Sequence, residues 1–200
     1  GFFGAVLCSL GAVHAGFKLV AGADTDKLCR TIWSDFNGHS ADVDFFDMRS
    51  SQRRAYVKLT PPCVNHSSST TTKSGSKGPE GWKYLACVVM AILTWAPLVI
   101  ELEIVGNAIN VLGGEDVLCA MGIMREYGYV VHCAHLSMQQ FGDVVHKERV
   151  VVVGVSSELG DVAINYKIPT GTFSDTVSYC ARDVVCSDES VAPFRVRKHG

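Results

Sequence analysis

The chain has 200 residues, enough for one domain with a sizeable core. Apolar residues make up 48% and charged residues 19%, which excludes a disordered chain. A formal net charge of −2 excludes a uniformly basic nucleic-acid-binding module, though it leaves room for a local basic patch.

Residues 1–3 read as the end of a strand whose beginning is missing. Gly4 follows, then a helix from about Ala5 to Ala15, closed by Gly16 as a C-cap. Phe17 to Ala23 reads as a buried strand that ends in Asp24-Thr25-Asp26, and a helix from about Lys27 to Asp35 comes next. This order of strand, loop, helix, strand and acid is a βαβ unit. It has two readings. One is a nucleotide-type cofactor site, with the acid accepting ribose hydroxyls. The other is an ordinary βαβ unit with an acidic helix cap. Residues 1–22 are apolar but lack a basic leading region, so they are not read as a signal peptide.

Asn37-Gly38-His39 is a turn signal. Asp42 either ends a short third strand or is a solvated loop acid, and residues 49–54 form a basic surface cluster. Ala55 to Leu59 is the next strand, and Pro61-Pro62 stop it. Cys63 then lies just beyond a strand end. It is either a small buried hydrophobe or a reactive group at the sheet's carboxyl edge. Residues 67–81 are small and polar, a surface linker or a loop that closes over Cys63 with Lys73 and Lys77 near phosphates.

Trp82 to about Trp95 is a helix, apolar nearly all round and ended by Pro97. The uncharged run Tyr84 to Ile100 is short for a membrane span and is broken by that proline. Leu98 to Val105 is a largely buried strand with Glu101 and Glu103 on one face by period two. Carboxylates there need a partner, a proton or a function. Gly113-Gly114 makes a turn, Glu115 to Tyr127 an amphipathic helix, and Tyr129 to Leu136 a strand. Phe141-Gly142-Asp143 turns into the β-branched strand Arg149 to Val155, with Lys147 and Arg149 on one face at its start. Short strands are expected within 166–174 and 175–185, and the basic end at 195–199 is expected to be loosely held. The β/α alternation with two final consecutive strands predicts an α/β, doubly wound sheet.

The eight cysteines are dispersed and form no CxxC pair, which suits reduced intracellular thiols. His132, Cys133 and His135 lack a second pair of ligands, so no metal is assigned.

The ordered motifs resemble the DNA cytosine-5 methyltransferase family. Phe2-Phe3-Gly4 leads to Ala15-Gly16-Phe17, with Gly11 between, as the family's first loop and helix do. Asp24 matches the acid closing strand two, Thr25 the adenine contact beside it, and Asp42 in Ala41-Asp42-Val43 the next acidic element. Pro62-Cys63-Val64-Asn65-His66-Ser67 stands for the family's Pro-Cys-Gln-x-Phe-Ser, and Glu103-Ile104-Val105 for Glu-Asn-Val. Val145-His146-Lys147-Glu148-Arg149 stands for Gln-x-Arg-x-Arg. Val6 and Leu7 replace family glycines, and Val64, His66, Ile104 and Lys147 also depart from the pattern.

The resemblance implies a Rossmann-like S-adenosylmethionine-dependent methyltransferase fold, with a mostly parallel doubly wound sheet and an antiparallel final strand. It implies a catalytic domain over 1–155, truncated within its first motif, and a short extension over 156–200 in which no target-recognition region is evident. It implies Cys63, Glu103, Arg149 and Lys147 as catalytic residues, and Phe2, Gly4, Asp24, Thr25, Asp42 and Pro62 as cofactor contacts. S-adenosylmethionine is the implied cofactor. Cytosine-containing DNA, duplex DNA included, is the implied partner, with a further domain or chain for target recognition and no membrane. The implied place is intracellular: nuclear in a eukaryote, cytoplasmic in a bacterium or phage. Two alternatives stand beside DNA methylation: a degenerate non-catalytic relative that keeps the fold for binding or structure, and an RNA cytosine methyltransferase.

Overall fold

The computed structural model describes residues 7–38, 41, 44–48, 52–61, 77, 82–143 and 147–171. Two compact units divide the chain. The first comprises Gly1–Leu136 and Glu148–Pro169, the second Ser137–Lys147 and Thr170–Gly200.

In the first unit, α1 spans Leu7–His14 and stops where expected. Gly16 adopts φ +87°, and the amide of Phe17 donates to the Ala12 carbonyl at 2.9 Å, the turn that a Cβ would strain. The segment 17–23 departs from expectation. It forms no strand, only an isolated bridge at Ala23, and Phe17 and Val20 are exposed. Its apolar side chains line a cavity instead of packing in a sheet. Helix α2, Lys27–Asn37, is capped by Asp26 at its start and by Gly38, φ 71°, at its end. Trp33 is its buried anchor.

Strand β1 is Tyr56–Leu59, helix α3 Trp82–Trp95, strand β2 Val99–Val105 and helix α4 Glu115–Glu126. Strand β3 is Tyr129–Ser137, which crosses into the second unit at its last residue. Strand β4 is Glu148–Ser156. Among the described residues these strands form one sheet in the order β1-β2-β4-β3. β1 and β2 run parallel, and β4 returns antiparallel beside β2. The mixed sheet matches the expected doubly wound fold with an antiparallel final strand.

The register separates the sheet's two faces. Val57, Leu59, Ile100, Leu102, Ile104, Val150 and Val152 all point to one side and are buried. They share a core with Tyr84, Cys87, Val88, Ala91 and Ile92 of α3 and with Val117, Ala120 and Met124 of α4. Glycine is required at Gly154 on β4, because a Cβ there would stand 2.9 Å from Ile100 Cγ2 and 3.2 Å from Met124 Sδ.

The opposite face is covered in part by a short helix, α5, Asp161–Asn165, which the sequence pattern does not predict. Ala163 packs there with Val153 and Val155, and Tyr166 and Ile168 lie against them. The strand expected within 166–174 does not form over the described residues 166–171. The chain between β2 and α4 is more structured than a Gly-Gly turn: a 3-10 segment, Gly106–Ile109, is followed by a kinked turn over Val111–Gly114 in which Leu112 and Gly113 take φ of 50° and 64°.

In the second unit, Met138–Phe141 forms one 3-10 turn closed by Gly142, φ 87°, and the Met138 amide donates to the Lys147 carbonyl at 2.8 Å. Among the described residues no helix is long and apolar enough to cross a membrane.

Candidate active site

Alternation in β1 and β2 places Tyr56, Lys58, Glu101 and Glu103 on the face opposite the main core. Lys58 stands directly across from Glu101 in the parallel register. Its ammonium Nζ lies 2.8 Å from Glu101 Oε1 and 2.7 Å from Glu103 Oε2, so one cation serves both carboxylates. From the other neighbouring strand, Arg149 Nε lies 3.3 Å from Glu103 Oε1. Arg149 pairs in register with Val105, which sets its side chain diagonally beside Glu103. The Arg149 side chain also donates through Nη1 to the Glu148 carbonyl at 2.9 Å. The Tyr56 hydroxyl donates to Glu101 Oε2 at 2.5 Å.

The cluster therefore holds two carboxylates and two cations. Their side chains retain between 21% and 27% of their exposure, enough burial to make an unbalanced charge costly and enough opening to admit a ligand. Burial pushes the Tyr166 phenol above its ordinary range, and the negative charge of Glu101 adds to that shift.

Glu103 and Arg149, named as site residues on separate motifs, are thus brought together. Lys147 is exposed, precedes β4 and belongs to the second unit. Asp24 is buried and Thr25 exposed, immediately after the segment 17–23. Asp24 Oδ1 accepts from the Asp26 amide at 2.8 Å, and the Asp24 carbonyl accepts from Arg30 Nη1 at 2.7 Å. Asp26 is the helix cap proper. Its Oδ1 accepts from the amides of Leu28 and Cys29 at 2.7 and 3.0 Å, and these bonds hold its carboxyl below the usual carboxylate range. Within the acidic turn it is therefore Asp26 that caps α2, with Asp24 buried just before it. Phe2, Gly4, Asp42, Pro62 and Cys63 lie outside the described residues, as do most of the loop 67–81 and residues 172–200. Lys77 of that loop pairs with Glu115 at 3.5 Å.

A cavity of about 450 Å³ opens between the segment 17–23 and β1. Phe17, Trp33, Phe45, Tyr56 and Trp95 contribute to its walls, and Lys58 stands on its border. Its size and mostly apolar walls suit a small-molecule site. Asp24 and Thr25 adjoin the wall without lining it.

His132 and His135 fall on opposite faces of β3. His132 donates to the Ala163 carbonyl at 3.0 Å, whereas His135 lies 3.6 Å from Glu148. No group of three or more metal-ligating side chains occurs among the described residues.

Lys58 and Tyr56 were not marked as site residues by the sequence. The available signal was their alternation: both share a face with Glu101 and Glu103 once β1 and β2 are taken as parallel neighbours.

The family model of C-5 cytosine-specific DNA methylases matches residues 2–185. No curated protein sequence matches the chain. Solved structures do. A putative DNA modification methyltransferase encoded within a prophage of E. coli superposes with a TM-score of 0.64 at 16% identity, over 92% of this chain and 52% of its own. The methyltransferase EhMeth of Entamoeba histolytica gives 0.55 at 16% identity, over 77% and 48%. The Dnmt2 methyltransferase of S. pombe gives 0.54 at 14% identity, over 94% and 54%. The chain spans about half the length of the solved structures it matches.

Proposed function

This chain belongs to the C-5 cytosine-specific DNA methylase family, and we propose that it carries the catalytic part of an enzyme that methylates cytosine C5 in DNA. The observation that carries the reading is the convergence of Glu103 and Arg149 at 3.3 Å beside β1, the strand that leads through Pro61 toward Cys63. A planar base that must be held on its N3, amine and O2 edge needs an acceptor and a donor side by side, and this pair supplies both.

In this reading Cys63 attacks as its thiolate. Its sulfur bonds to cytosine C6, and the C5=C6 π pair moves onto C5. Glu103 holds N3 and the exocyclic amine and shares a proton with N3 as charge builds there. Arg149 donates to O2, and Lys147 adds positive charge. After methylation a solvent water takes the C5 proton, the C–H pair re-forms the C5=C6 double bond, and the Cys63 sulfur leaves as thiolate. Since C6 is shielded inside a duplex, the base is flipped out before attack.

S-adenosylmethionine, when bound, supplies the electrophilic methyl group. The acceptor chemistry of Asp24 fits such a cofactor: the residue is buried, and the Asp26 amide orients its carboxylate at a segment end. A carboxylate offers about four lone-pair sites, the acceptor that a ribose diol requires. Thr25 stands next to it, and Phe2, Gly4, Asp42 and Pro62 complete the proposed pocket. The proposed partner is cytosine-containing DNA, with another domain or chain choosing the target, in an intracellular compartment that holds DNA.

The test is to mix the protein with S-adenosylmethionine and duplex DNA containing 5-fluorocytosine. The fluorine blocks release from the enzyme, so an adduct that survives denaturation is expected, and it should vanish in Cys63→Ala. No adduct together with no S-adenosylmethionine binding sinks the enzymatic reading in favour of a non-catalytic relative.

A further inference from the structure

The proposed chemistry uses Glu103 and Arg149 but leaves Lys58 and Glu101 without a task. Yet Lys58 makes the shortest contact to the Glu103 carboxylate, 2.7 Å against 3.3 Å for Arg149. The two cations bind opposite oxygens of that carboxylate from the two strands that flank β2. A carboxylate gripped at one oxygen can still rotate about its last bond. Gripped at both, from strands fixed by backbone pairing, it has a set plane. These two contacts use two of roughly four lone-pair sites, which leaves acceptors for an incoming base amine.

Glu101 completes the balance. It shares the Lys58 ammonium at 2.8 Å and is steadied by Tyr56. Two residues apart on one strand face, Glu101 and Glu103 would repel each other without the cation between them. Among the described residues, the charged and titratable groups meeting this pair are Tyr56, Lys58, Arg149 and Tyr166.

We infer that Lys58 is a positioning residue for Glu103: it fixes one carboxylate oxygen while Arg149 fixes the other, and Glu101 shares it as the counter-charge that keeps the cluster neutral. The catalytic half of this rests on the methyltransferase reading. The electrostatic half stands on the four-group geometry alone.

The experiment compares Lys58→Met, Lys58→Arg, Glu101→Gln and the double variant Lys58→Met/Glu101→Gln in the whole chain, by thermal unfolding and by methyl transfer to cytosine-containing duplex DNA. In unfolding, Lys58→Met is expected to lower the midpoint, and adding Glu101→Gln to recover part of the loss, because it restores neutrality. Additive losses overturn the charge balance. Should Lys58→Met fail to fold, folding of the double variant supports the balance, and its failure beside a folded Glu101→Gln overturns it.

In catalysis, Lys58→Met is expected to lower kcat about 10- to 100-fold, the cost of a displaced reacting group, with little change in the KM for DNA. Lys58→Arg should restore most of it. An unchanged kcat in Lys58→Met overturns the positioning role. If the unaltered chain transfers no methyl group, the adduct and S-adenosylmethionine-binding measurements decide the methyltransferase reading, while the unfolding comparison still decides what Lys58 does for the carboxylates.

Discussion

Among the described cysteines, neighbourhood separates the thiols more sharply than sequence could. Cys87 is wholly enclosed in α3 and donates its S–H to the Tyr84 carbonyl at 3.0 Å. Burial raises its thiol to about 12, because the thiolate would have to form without water. Cys119 on α4 is exposed. Thiolate is the reactive form, so alkylation should reach Cys119 long before Cys87. Iodoacetamide labelling in the folded state, read by peptide mass spectrometry, checks the order. Equal rates at the two positions would mean that α3 is not packed as described. The same reasoning frames Cys63. Its position beyond a strand end makes it a nucleophile candidate, and only its partners can give it reactivity.

At the scale of elements, the start of α2 makes a pH-dependent prediction. Asp26 accepts two backbone amides, and those bonds lower its folded-state pKa from the ordinary 3.8. A lowered pKa means that the cap stabilises the fold fully above the unfolded-state value and loses that contribution as pH falls through the folded-state value. Asn caps helices nearly as well as Asp but does not titrate there. Asp26→Asn should therefore retain most of the stability at neutral pH and lose less of it on acidification. Unfolding midpoints measured between neutral and strongly acidic pH check this, and parallel acid losses in the two proteins would count against it. The elements most legible in the sequence were those with local punctuation. Pro97 fixed the end of α3, Gly16 stands at positive φ at the helix end where it was expected, and Gly38 does so in the expected turn. Composition misled at 17–23, since an apolar run does not reveal whether a strand will lie beside it. Helix α5 was missed because five residues are too few to display a period. Glu103 and Arg149 could be named from ordered motifs, whereas Lys58 belongs to none of them and only the pairing of β1 with β2 brings it to Glu103.

For the molecule as a whole, the sheet carries its stability and its polar site on opposite faces of the same strands. Leu102 points into the main core with no exposure, between Glu101 and Glu103, which point the other way. The core it joins runs from Ala23 and Phe45 through α3 and the sheet to α4 and Tyr129 as one contiguous cluster. The cluster on the other face is smaller: Val153, Val155 and Ala163 with their half-buried neighbours. Truncating Leu102 to Ala removes buried methyl groups from the middle of the larger cluster, at an expected cost of about 2–5 kcal/mol. Because the cluster ties the sheet to α3 and α4, the surroundings cannot easily close on the space left, which favours the upper part of that range. Urea unfolding should show a lower midpoint with an unchanged slope, since the surface exposed on unfolding stays the same. A loss below about 1 kcal/mol would place Leu102 outside a well-packed core. The polar contacts of Lys58 depend on the same backbone register, so Leu102→Ala also asks whether the site needs the full stability of the core or only the pairing of β1, β2 and β4. In the folded variant, preserved register predicts a preserved Lys58–Glu103–Arg149 arrangement, and a crystal structure of Leu102→Ala would read it directly.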